Sequence, residues 1–357
     1  MYPSNGLGAI CRLLRACDAM LGGQVAAYDE VLQVSFMLGF SRLRPYSIGV
    51  DIGNDYMRLG QLAENGKGVK LVAGRNEDRP NDVEPGTAGW QRWAIQTIRL
   101  LTANGDFQGK DITASIPPGD LFIDHVRVSK ANDGKLDEVV FAKIKSRLPF
   151  EAARENLMMK CIRTDEDNVL VMATERKIID RHLAIYEEAN LHIKTIAVWP
   201  LALVNCYTRF FGRRKSDIEA AVMLICIEQD RTNVVICRHK NLLFARSISI
   251  GAGQLDDDAV GRLVLDLTGC RRQFSSIHRN AQIERVIFLT GRAVGRDICA
   301  AIARQLEMPA QTGDCLAAVE IEEPYRLGID RRSESSQEAS LRKEQLNWTT
   351  AFGLSLS

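Results

Sequence analysis

The sequence lacks the features that mark several common classes of protein. Its nine cysteines are odd in number, are scattered along the chain and form no CxxC pair, so the pattern indicates neither a disulfide framework nor a zinc site. The five histidines are dispersed as well, without the spacing of metal ligands. No run of about 18 uncharged apolar residues occurs, and we therefore predict no transmembrane helix. The cysteines are instead expected to be small buried apolar residues in a reducing compartment.

An excess of charge of one sign is also missing. Lys and Arg total 46 and Asp and Glu total 45, which leaves a net charge of +1. Such a balance gives no bulk attraction to nucleic acid or to an anionic membrane, and we predict no nucleic-acid partner. With 357 residues, 46% of them apolar and 25% charged, the chain has ordinary globular composition and enough length for two or more domains.

One stretch, residues 47–62 (SIGVDIGNDYMRLGQL), has the pattern of a ligand-binding turn. It begins with the apolar, β-branched run Ile48–Ile52, which carries Asp51 near its end. Turn-forming residues follow directly: Gly53, Asn54 and Asp55. Apolar residues at strand-like intervals on both sides predict a β-hairpin. A glycine turn allows backbone N–H groups to approach a phosphate, and a carboxylate at the strand end can hold a hydrated cation, although an ordinary hairpin turn has the same pattern.

Hydrophobic periodicity predicts a repeated plan around this stretch. Two three-stranded meanders are expected, the first over residues 47–72 and the second over residues 221–250, and each is followed by helices. Between them, residues 117–195 have the β-α-β-β-α-β order of a small α+β module. Residues 212–215 (GRRK) form a basic link that we interpret as a solvated connector. The pattern as a whole indicates an α/β (α+β) fold.

This order of motifs resembles the actin-like ATPase superfamily, and most closely its PilM-like members of type IV pilus machines, which are related to the FtsA division proteins. The order and spacing of short matches over residues 37–357 carry the resemblance. These matches are IGVDIG at 48–53, LPFE at 148–151, SIGAGQL at 249–255, FLTG at 288–291 and TAFGL at 350–354. The resemblance implies an actin-like ATPase fold of two lobes, built on duplicated meanders, with the small module inserted.

The resemblance also implies how the chain divides. Residues 1–36 read as an N-terminal extension that is disordered or mis-called, because a natural start follows at Met37. The other expected parts are a first lobe (37–116, 196–220 and a returning helix in 345–357), an inserted partner-binding module (117–195), a second lobe (221–330) and a polar linker (331–344).

By resemblance, ATP with Mg²⁺ is the expected cofactor, with Asp51 on the metal side. The nucleotide-binding residues that the resemblance implies are Asp51, Gly53, Asn54, Asp55, Gly251, Gly253, Gly291 and Arg292. The second phosphate loop departs from the family pattern, because Cys226-Ile227-Glu228 stands where relatives carry Asp-Ile-Gly. A carboxylate about 4 Å from phosphate oxygens would cost roughly 1 to 4 kcal/mol. We therefore expect a degenerate nucleotide site and no catalytic residue.

The resemblance further implies a protein partner. In the family, an extended N-terminal peptide of a PilN-like inner-membrane protein docks between the inserted module and the first lobe, by main-chain hydrogen bonds in a groove. The groove residues that we expect are Phe122, His125, Phe141, Leu148 and Phe150, unless these side chains pack the module's own core. The implied location is cytoplasmic, at the inner face of the inner membrane, with membrane association through partners, contacts with other pilus platform proteins, and self-association.

The predicted function is therefore a scaffold of a type IV pilus-like or type II secretion-like assembly platform. An active ATP-binding and ATP-hydrolysing relative is the first alternative, but it needs two carboxylates facing the metal and a base, and only Asp51 lies in a suitable turn. An FtsA-like, membrane-anchored division protein is another alternative. It needs a strong amphipathic C-terminal helix, whereas residues 348–356 form a short one without basic flanks.

Overall fold

A computed structural model describes residues 44–321 and 346–357, apart from residues 65, 67, 152, 166, 292 and 293 and the side chains of residues 132 and 133. The predicted extension (1–36), the predicted linker (331–344) and Arg292 lie outside the described residues.

Three β-sheets organise the described part of the chain. The strands are β1 (Arg44–Pro45), β2 (Ile48–Ile52), β3 (Tyr56–Glu64), β4 (Val69–Asp78), β5 (Asp111–Ile116), β6 (Phe122–Arg127), β7 (Leu157–Arg163), β8 (Asn168–Glu175), β9 (His192–Val198), β10 (Ala221–Ile227), β11 (Thr232–Arg238), β12 (Asn241–Ile248), β13 (Ile283–Phe288) and β14 (Ala310–Thr312).

The helices lie between and after these strands. They are α1 (Ala88–Ala103), α2 (Leu136–Ile144), α3 (Arg176–Glu188), α4 (Trp199–Cys206), α5 (Lys215–Glu219), α6 (Asp257–Ile277), α7 (Arg296–Gln305) and α8 (Thr349–Ser355). The longest, α6, begins after Asp256, whose side chain accepts from the backbone N–H of Ala259 and so caps the helix. None of the helices in the described ranges is long and apolar enough to cross a membrane.

The first lobe contains the sheet of the predicted first meander. Strands β2, β3 and β4 pair antiparallel, and β5 and β9 extend the sheet from β2 in parallel. All five residues of β2 are buried, because α1 and α3 cover one face of the sheet and α8 covers the other. The predicted hairpin and meander are confirmed.

The second lobe repeats this arrangement. Strands β10, β11 and β12 form the second antiparallel meander, and β13 and β14 extend its sheet in parallel. Helices α6 and α7 pack on one face, while α4 packs on the other and joins the two lobes. The second predicted meander and the predicted plan of two lobes built on duplicated meanders are therefore confirmed.

The predicted β-α-β-β-α-β order of elements is confirmed, as β6, α2, β7, β8, α3 and β9, but the last strand does not join the sheet of the inserted module. The module's sheet has the order β6-β8-β7, covered by α2. The last strand of the pattern, β9, instead pairs in parallel with β5 in the first sheet, and α3 buries Ile185 and Tyr186 against the first lobe. The assignment of β9 to the first sheet has a physical reason. Ile185 and Tyr186 complete the apolar layer over β2, so α3 packs on the first sheet and the strand that follows it, β9, pairs there.

Candidate functional site

The hairpin turn after β2 forms as predicted, but an aromatic ring occupies the space beside its glycine. The backbone N–H of Gly53 donates to the carbonyl of Tyr56 at 2.9 Å, which closes the turn. A Cβ atom at Gly53 would lie 2.6 Å from the Tyr56 ring, so glycine is required there for packing. The Tyr56 hydroxyl donates to Asp51 Oδ2 at 3.1 Å. The predicted phosphate position is thus lined by a buried carboxylate and a tyrosine.

Arg58 connects this turn to the second lobe. Its guanidinium carbon lies 3.6 Å from the centroid of the Tyr56 ring, a cation–π contact. Its Nη1 lies 3.3 Å from Glu228 Oε2 and donates to the carbonyl of Asn347 at 2.8 Å. Both side chains of the ion pair are buried. A single cation therefore joins β3, the loop after β10 and the segment before α8.

Asn347 completes the cluster from the C-terminal side. Its amide Nδ2 lies 3.0 Å from Glu228 Oε1, 3.0 Å from the carbonyl of Leu289 and 3.2 Å from Cys226 Sγ. The Cys226-Ile227-Glu228 departure noted in the sequence is therefore part of an internal hydrogen-bond network. We call Asp51, Tyr56, Arg58, Glu228 and Asn347 the inter-lobe cluster.

The inter-lobe cluster holds two carboxylates against one cation. Burial and the charge of Glu228 raise the pKa of Asp51 to about 7, against the opposing effects of Arg58 and the Tyr56 hydroxyl. Burial also raises the pKa of Glu228, although Arg58 and its hydrogen bonds oppose the shift. The cluster is neutral when Asp51 is protonated and Glu228 pairs with Arg58. Ionisation of Asp51 therefore adds a second buried negative charge beside Glu228, which the single cation Arg58 does not balance.

Little space remains between the lobes at this point. The cavity bounded by Asp51, Gly53, Asn54, Glu228 and neighbouring residues has a volume of about 20 Å³. One water needs roughly 10 to 15 Å³, and small-molecule sites measure about 300 to 1,000 Å³. The residues present therefore do not fit ATP with Mg²⁺ in this arrangement.

The remaining predicted glycines use their backbone groups within the protein. The N–H of Gly253 donates to the carbonyl of Gln229 at 2.9 Å, and a Cβ atom at Gly251 would overlap the backbone of Arg231. Gly291 has a φ of 58°, the left-handed conformation that favours glycine, and faces the backbone of Leu346 and Asn347. These positions bring loops together, and the N–H of Gly253 is already bonded within the protein.

The two polar residues of the turn, Asn54 and Asp55, bind residues of different lobes. Asn54 donates to Asp230 Oδ2 of the second lobe at 2.7 Å, whereas Asp55 pairs with Arg79 of the first lobe at 3.2 Å. No group of three or more His, Cys, Asp or Glu side chains in the described ranges is arranged to hold a metal ion. Asn54 therefore adds a second bond between the lobes, and Asp55 does not reach the site.

A larger cavity, of about 580 Å³, opens where the module meets both lobes. We call it the module groove. Its lining residues are Pro118, Gly119, Asp120, Leu121, Phe122, Ile123, Pro149, Phe150, Thr174, Glu175, Ile178, Arg231, Arg246, Ser247 and Ser249. The Thr174 and Ser247 hydroxyls are buried and have no hydrogen-bond partner within the described part of the chain. The groove thus combines an apolar floor with polar groups that a ligand could satisfy.

The predicted groove residues divide between this cavity and other contacts. Phe122 and Phe150 line the module groove and also pack on the module's core. Phe141 and Leu148 pack on the module's core, and His125 stacks on Phe244 of β12 with ring centroids 4.8 Å apart. Burial, together with the charge of His278, lowers the pKa of His125 to about 4, so the His125 ring that stacks on Phe244 is neutral.

Of the five members of the inter-lobe cluster, only Asp51 is among the site residues predicted from the sequence. Glu228 is noted there as a departure from the family pattern, whereas Tyr56, Arg58 and Asn347 are not predicted. Arg58 carried a signal, since a single cation interrupts the apolar strand β3. Asn347 carried none, because nothing in its neighbourhood distinguishes it from an ordinary polar residue that precedes a helix.

Comparisons with known proteins support the fold. No protein-family model matches the sequence, and no curated protein matches it significantly. Among solved structures, the chain is similar to a chain of a PilM–PilN type IV pilus biogenesis complex, with a TM-score of 0.67 and 16% identity over 87% of this chain and 98% of the other. The chain is less similar to the ethanolamine utilization protein EutJ from Carboxydothermus hydrogenoformans, with a TM-score of 0.45 and 13% identity over 88% of this chain and 90% of the other. It is similar to the same degree to the cytoplasmic domain of EpsL of the Vibrio cholerae type II secretion system, with a TM-score of 0.45 and 7% identity over 84% of this chain and 94% of the other. The chain therefore has the PilM-like, actin-like ATPase fold that its motifs predicted.

Proposed function

We propose that this protein is an actin-like scaffold of a type IV pilus-like or type II secretion-like assembly platform. It acts at the cytoplasmic face of the inner membrane and binds the extended N-terminal peptide of a PilN-like membrane protein. The observation that carries the proposal is the module groove, about 580 Å³ in volume, which contains Phe122 and Phe150. The similarity of the fold to a chain from a PilM–PilN complex supports the same assignment.

The chemistry of the module groove suits an extended peptide. Apolar side chains such as Phe122 and Ile178 offer pockets for alternate residues of a strand-like ligand. The unpaired hydroxyls of Thr174 and Ser247 offer hydrogen-bond partners to peptide groups. Strand β6 pairs with β8 alone among the described strands, so main-chain groups on its other edge can pair with a peptide, although the N–H of His125 already donates to Asp124 Oδ1.

We further propose that the nucleotide site is degenerate. Arg58 supplies the positive charge between the lobes that a metal ion supplies in a nucleotide complex, and Glu228 takes up the space and charge of a phosphate. The remaining cavity of about 20 Å³ leaves no room for ATP unless the lobes separate. Separation would break the Arg58–Glu228 and Asn54–Asp230 contacts.

The partner proposal is tested with the N-terminal cytoplasmic peptide of the PilN-like protein encoded in the same genome. We expect the purified full chain to bind this peptide in a fluorescence-anisotropy titration. Phe122→Ala and Phe150→Ala should each weaken binding at least tenfold, because both rings line the module groove. Phe141→Ala is the matched control, since it removes a ring that packs on the module's core outside the groove.

Thermal unfolding of each variant separates loss of the groove from loss of the fold. Equal binding by all three variants and the wild type would contradict the groove assignment. So would a peptide that binds only to the unfolded or aggregated fraction.

The nucleotide proposal is tested by isothermal titration of the full chain with ATP and MgCl₂. We expect no heat of binding at millimolar ATP, because the inter-lobe cluster occupies the site. Micromolar binding that disappears in Asp51→Ala would instead establish a working first phosphate loop and an ATP-binding protein.

A further inference from the structure

The basic link that the sequence suggested to be a solvated connector lines a third cavity. This cavity measures about 330 Å³ and lies between the end of α4, helix α5 and the edge of the second sheet. Its lining residues are Phe210, Phe211, Arg213, Arg214, Asp217, Arg285 and Gln311. It shares no lining residue with the module groove or with the cavity at the inter-lobe cluster. We call it the arginine pocket.

Positive charge is in excess in the arginine pocket. Asp217, the only carboxylate among the described residues that line the pocket, is 2% exposed and lies 2.6 Å from Nη2 of Arg285. The backbone N–H of Arg214 donates to the same carboxylate at 2.9 Å. Arg285 forms the ion pair with Asp217, and the charge of Arg214 also acts on that carboxylate. Three arginines thus face one described carboxylate, which leaves the pocket with an excess of positive charge.

An unsatisfied donor accompanies this excess charge. The Nε–H group of Arg285 is buried and has no acceptor among the described residues. Buried polar groups in proteins nearly always have a partner, which points to an acceptor from outside the described chain. An oxygen atom seated beside Arg285 in the pocket would supply it.

The remaining walls define the size and nature of the ligand. Phe210 and Phe211 lie edge to face with ring centroids 6.2 Å apart, and Phe210 is buried. Such apolar walls lower the local dielectric constant and strengthen charged hydrogen bonds. Planar guanidinium groups bind phosphate oxygens through paired hydrogen bonds, and a volume of about 330 Å³ admits a small phosphorylated group.

We propose that the arginine pocket binds a phosphate-bearing anion through Arg213, Arg214 and Arg285. The same chemistry can come from a soluble phosphate compound or from an anionic phospholipid headgroup. The site is independent of the peptide groove and of the nucleotide position.

The test uses inorganic pyrophosphate in isothermal titrations, and vesicles of phosphatidylcholine with or without phosphatidylglycerol in co-sedimentation. The variant Arg213→Ala/Arg214→Ala removes two exposed cations of the pocket, and the control Arg262→Ala/Arg272→Ala removes two exposed cations of α6. We expect the pocket variant to bind at least tenfold more weakly and the control to stay within about twofold of the wild type. Arg285→Lys, which keeps the charge but removes the Nε–H group, should also weaken binding.

The two probes distinguish the sources of the phosphate. Pyrophosphate binding that only the pocket variants lose supports a soluble ligand, and retention on phosphatidylglycerol vesicles that only they lose supports a headgroup. Absence of both kinds of binding in the wild type, or equal loss in the pocket and control variants, overturns the proposal. Binding of the PilN-like peptide should be unchanged in the pocket variant, so failure here and failure of the proposed function are separable.

Discussion

At the scale of single residues, Asp51 shares one buried cation with Glu228. Its pKa is raised to about 7 in the folded protein from an ordinary value near 3.8. Between about pH 4 and pH 7 the folded state therefore binds more protons at this residue than the unfolded state does. The contribution of Asp51 to the free energy of unfolding is therefore fully present below about pH 4. It falls as the pH rises from about 4 to about 7 and is constant above that.

We therefore predict that Asp51→Asn stabilises the protein most at neutral and alkaline pH. The amide keeps an acceptor for the Tyr56 hydroxyl and removes the charge that Arg58 cannot neutralise. The expected gain in the free energy of unfolding is small at pH 4 and on the order of 3 kcal/mol at pH 8. Urea unfolding between pH 4 and pH 8 measures it.

Asp55→Asn is the control for Asp51→Asn. Asp55 pairs with Arg79 outside the site, so its substitution should change stability by less than about 1 kcal/mol at every pH. A gain from Asp51→Asn that does not vary with pH would refute the shared-cation explanation.

At the scale of secondary structure elements, α8 packs more closely than side chains normally permit. A Cβ atom at Gly353 would overlap the carbonyl of Ala202 in α4, and one at Gly49 in β2 would overlap the carbonyl of Ala351. The Ser355 hydroxyl donates to the carbonyl of Ser47 at 2.8 Å. Glycine on each side therefore allows a helix to lie directly between a strand and another helix.

Gly353→Ala should destabilise the protein by about 1 to 3 kcal/mol or more, because the added methyl group meets a backbone carbonyl that cannot rotate away. Gly261→Ala is the matched control. It lies in α6, where a Cβ atom meets nothing within 4 Å, and the better helix propensity of alanine should stabilise by roughly 0.5 to 1 kcal/mol. Chemical denaturation of both variants measures these two changes in the free energy of unfolding. A Gly353→Ala variant as stable as the wild type would contradict the close packing.

The elements themselves could largely be predicted from the sequence, whereas the sheet to which one strand belongs could not. Apolar periodicity and turn residues act locally, so β2, α1 and the two meanders follow from neighbouring residues. Strand β9 alternates weakly and is half exposed, and such a strand can join either sheet. Its place depends on Tyr186 of α3, whose burial against β2 is a tertiary contact.

At the scale of the whole molecule, the Arg58–Glu228 pair bridges the two lobes at the position where relatives are expected to hold a nucleotide. Its two partners are separated by 170 residues, and Arg58 also reaches Asn347, 289 residues away. The motif order could predict two lobes and a weakened second loop. It could not predict that side chains from three distant segments fill the site, because that outcome depends on their meeting in space.

Removal of Arg58 should therefore weaken the junction between the lobes. Arg58→Met leaves the buried Glu228 carboxylate without a cation, and we expect a loss of about 3 to 5 kcal/mol in the free energy of unfolding. The double variant Arg58→Met/Glu228→Gln should recover a large part of this loss. Denaturation of the wild type, both single variants and the double variant completes the thermodynamic cycle.

Arg209→Met is the control for that cycle. Arg209 pairs with Glu64 on the surface, so its loss should cost less than about 1 kcal/mol. If the double variant were no more stable than Arg58→Met, the unpaired Glu228 carboxylate would not be the source of the loss in the free energy of unfolding.

The close packing of α8 also sets an order of events during synthesis. The backbone N–H of Leu62 in β3 donates to the Ser355 hydroxyl at 3.0 Å across 293 residues of sequence. At about 5 to 20 residues per second, a ribosome makes β3 roughly 15 to 60 s before the helix that covers it. During that interval no helix covers the face of the first sheet that carries Gly49, and every strand of the second lobe is made before the interval ends. The first lobe is thus completed only after every strand of the second lobe has been made, and its face toward α8 stays uncovered until then.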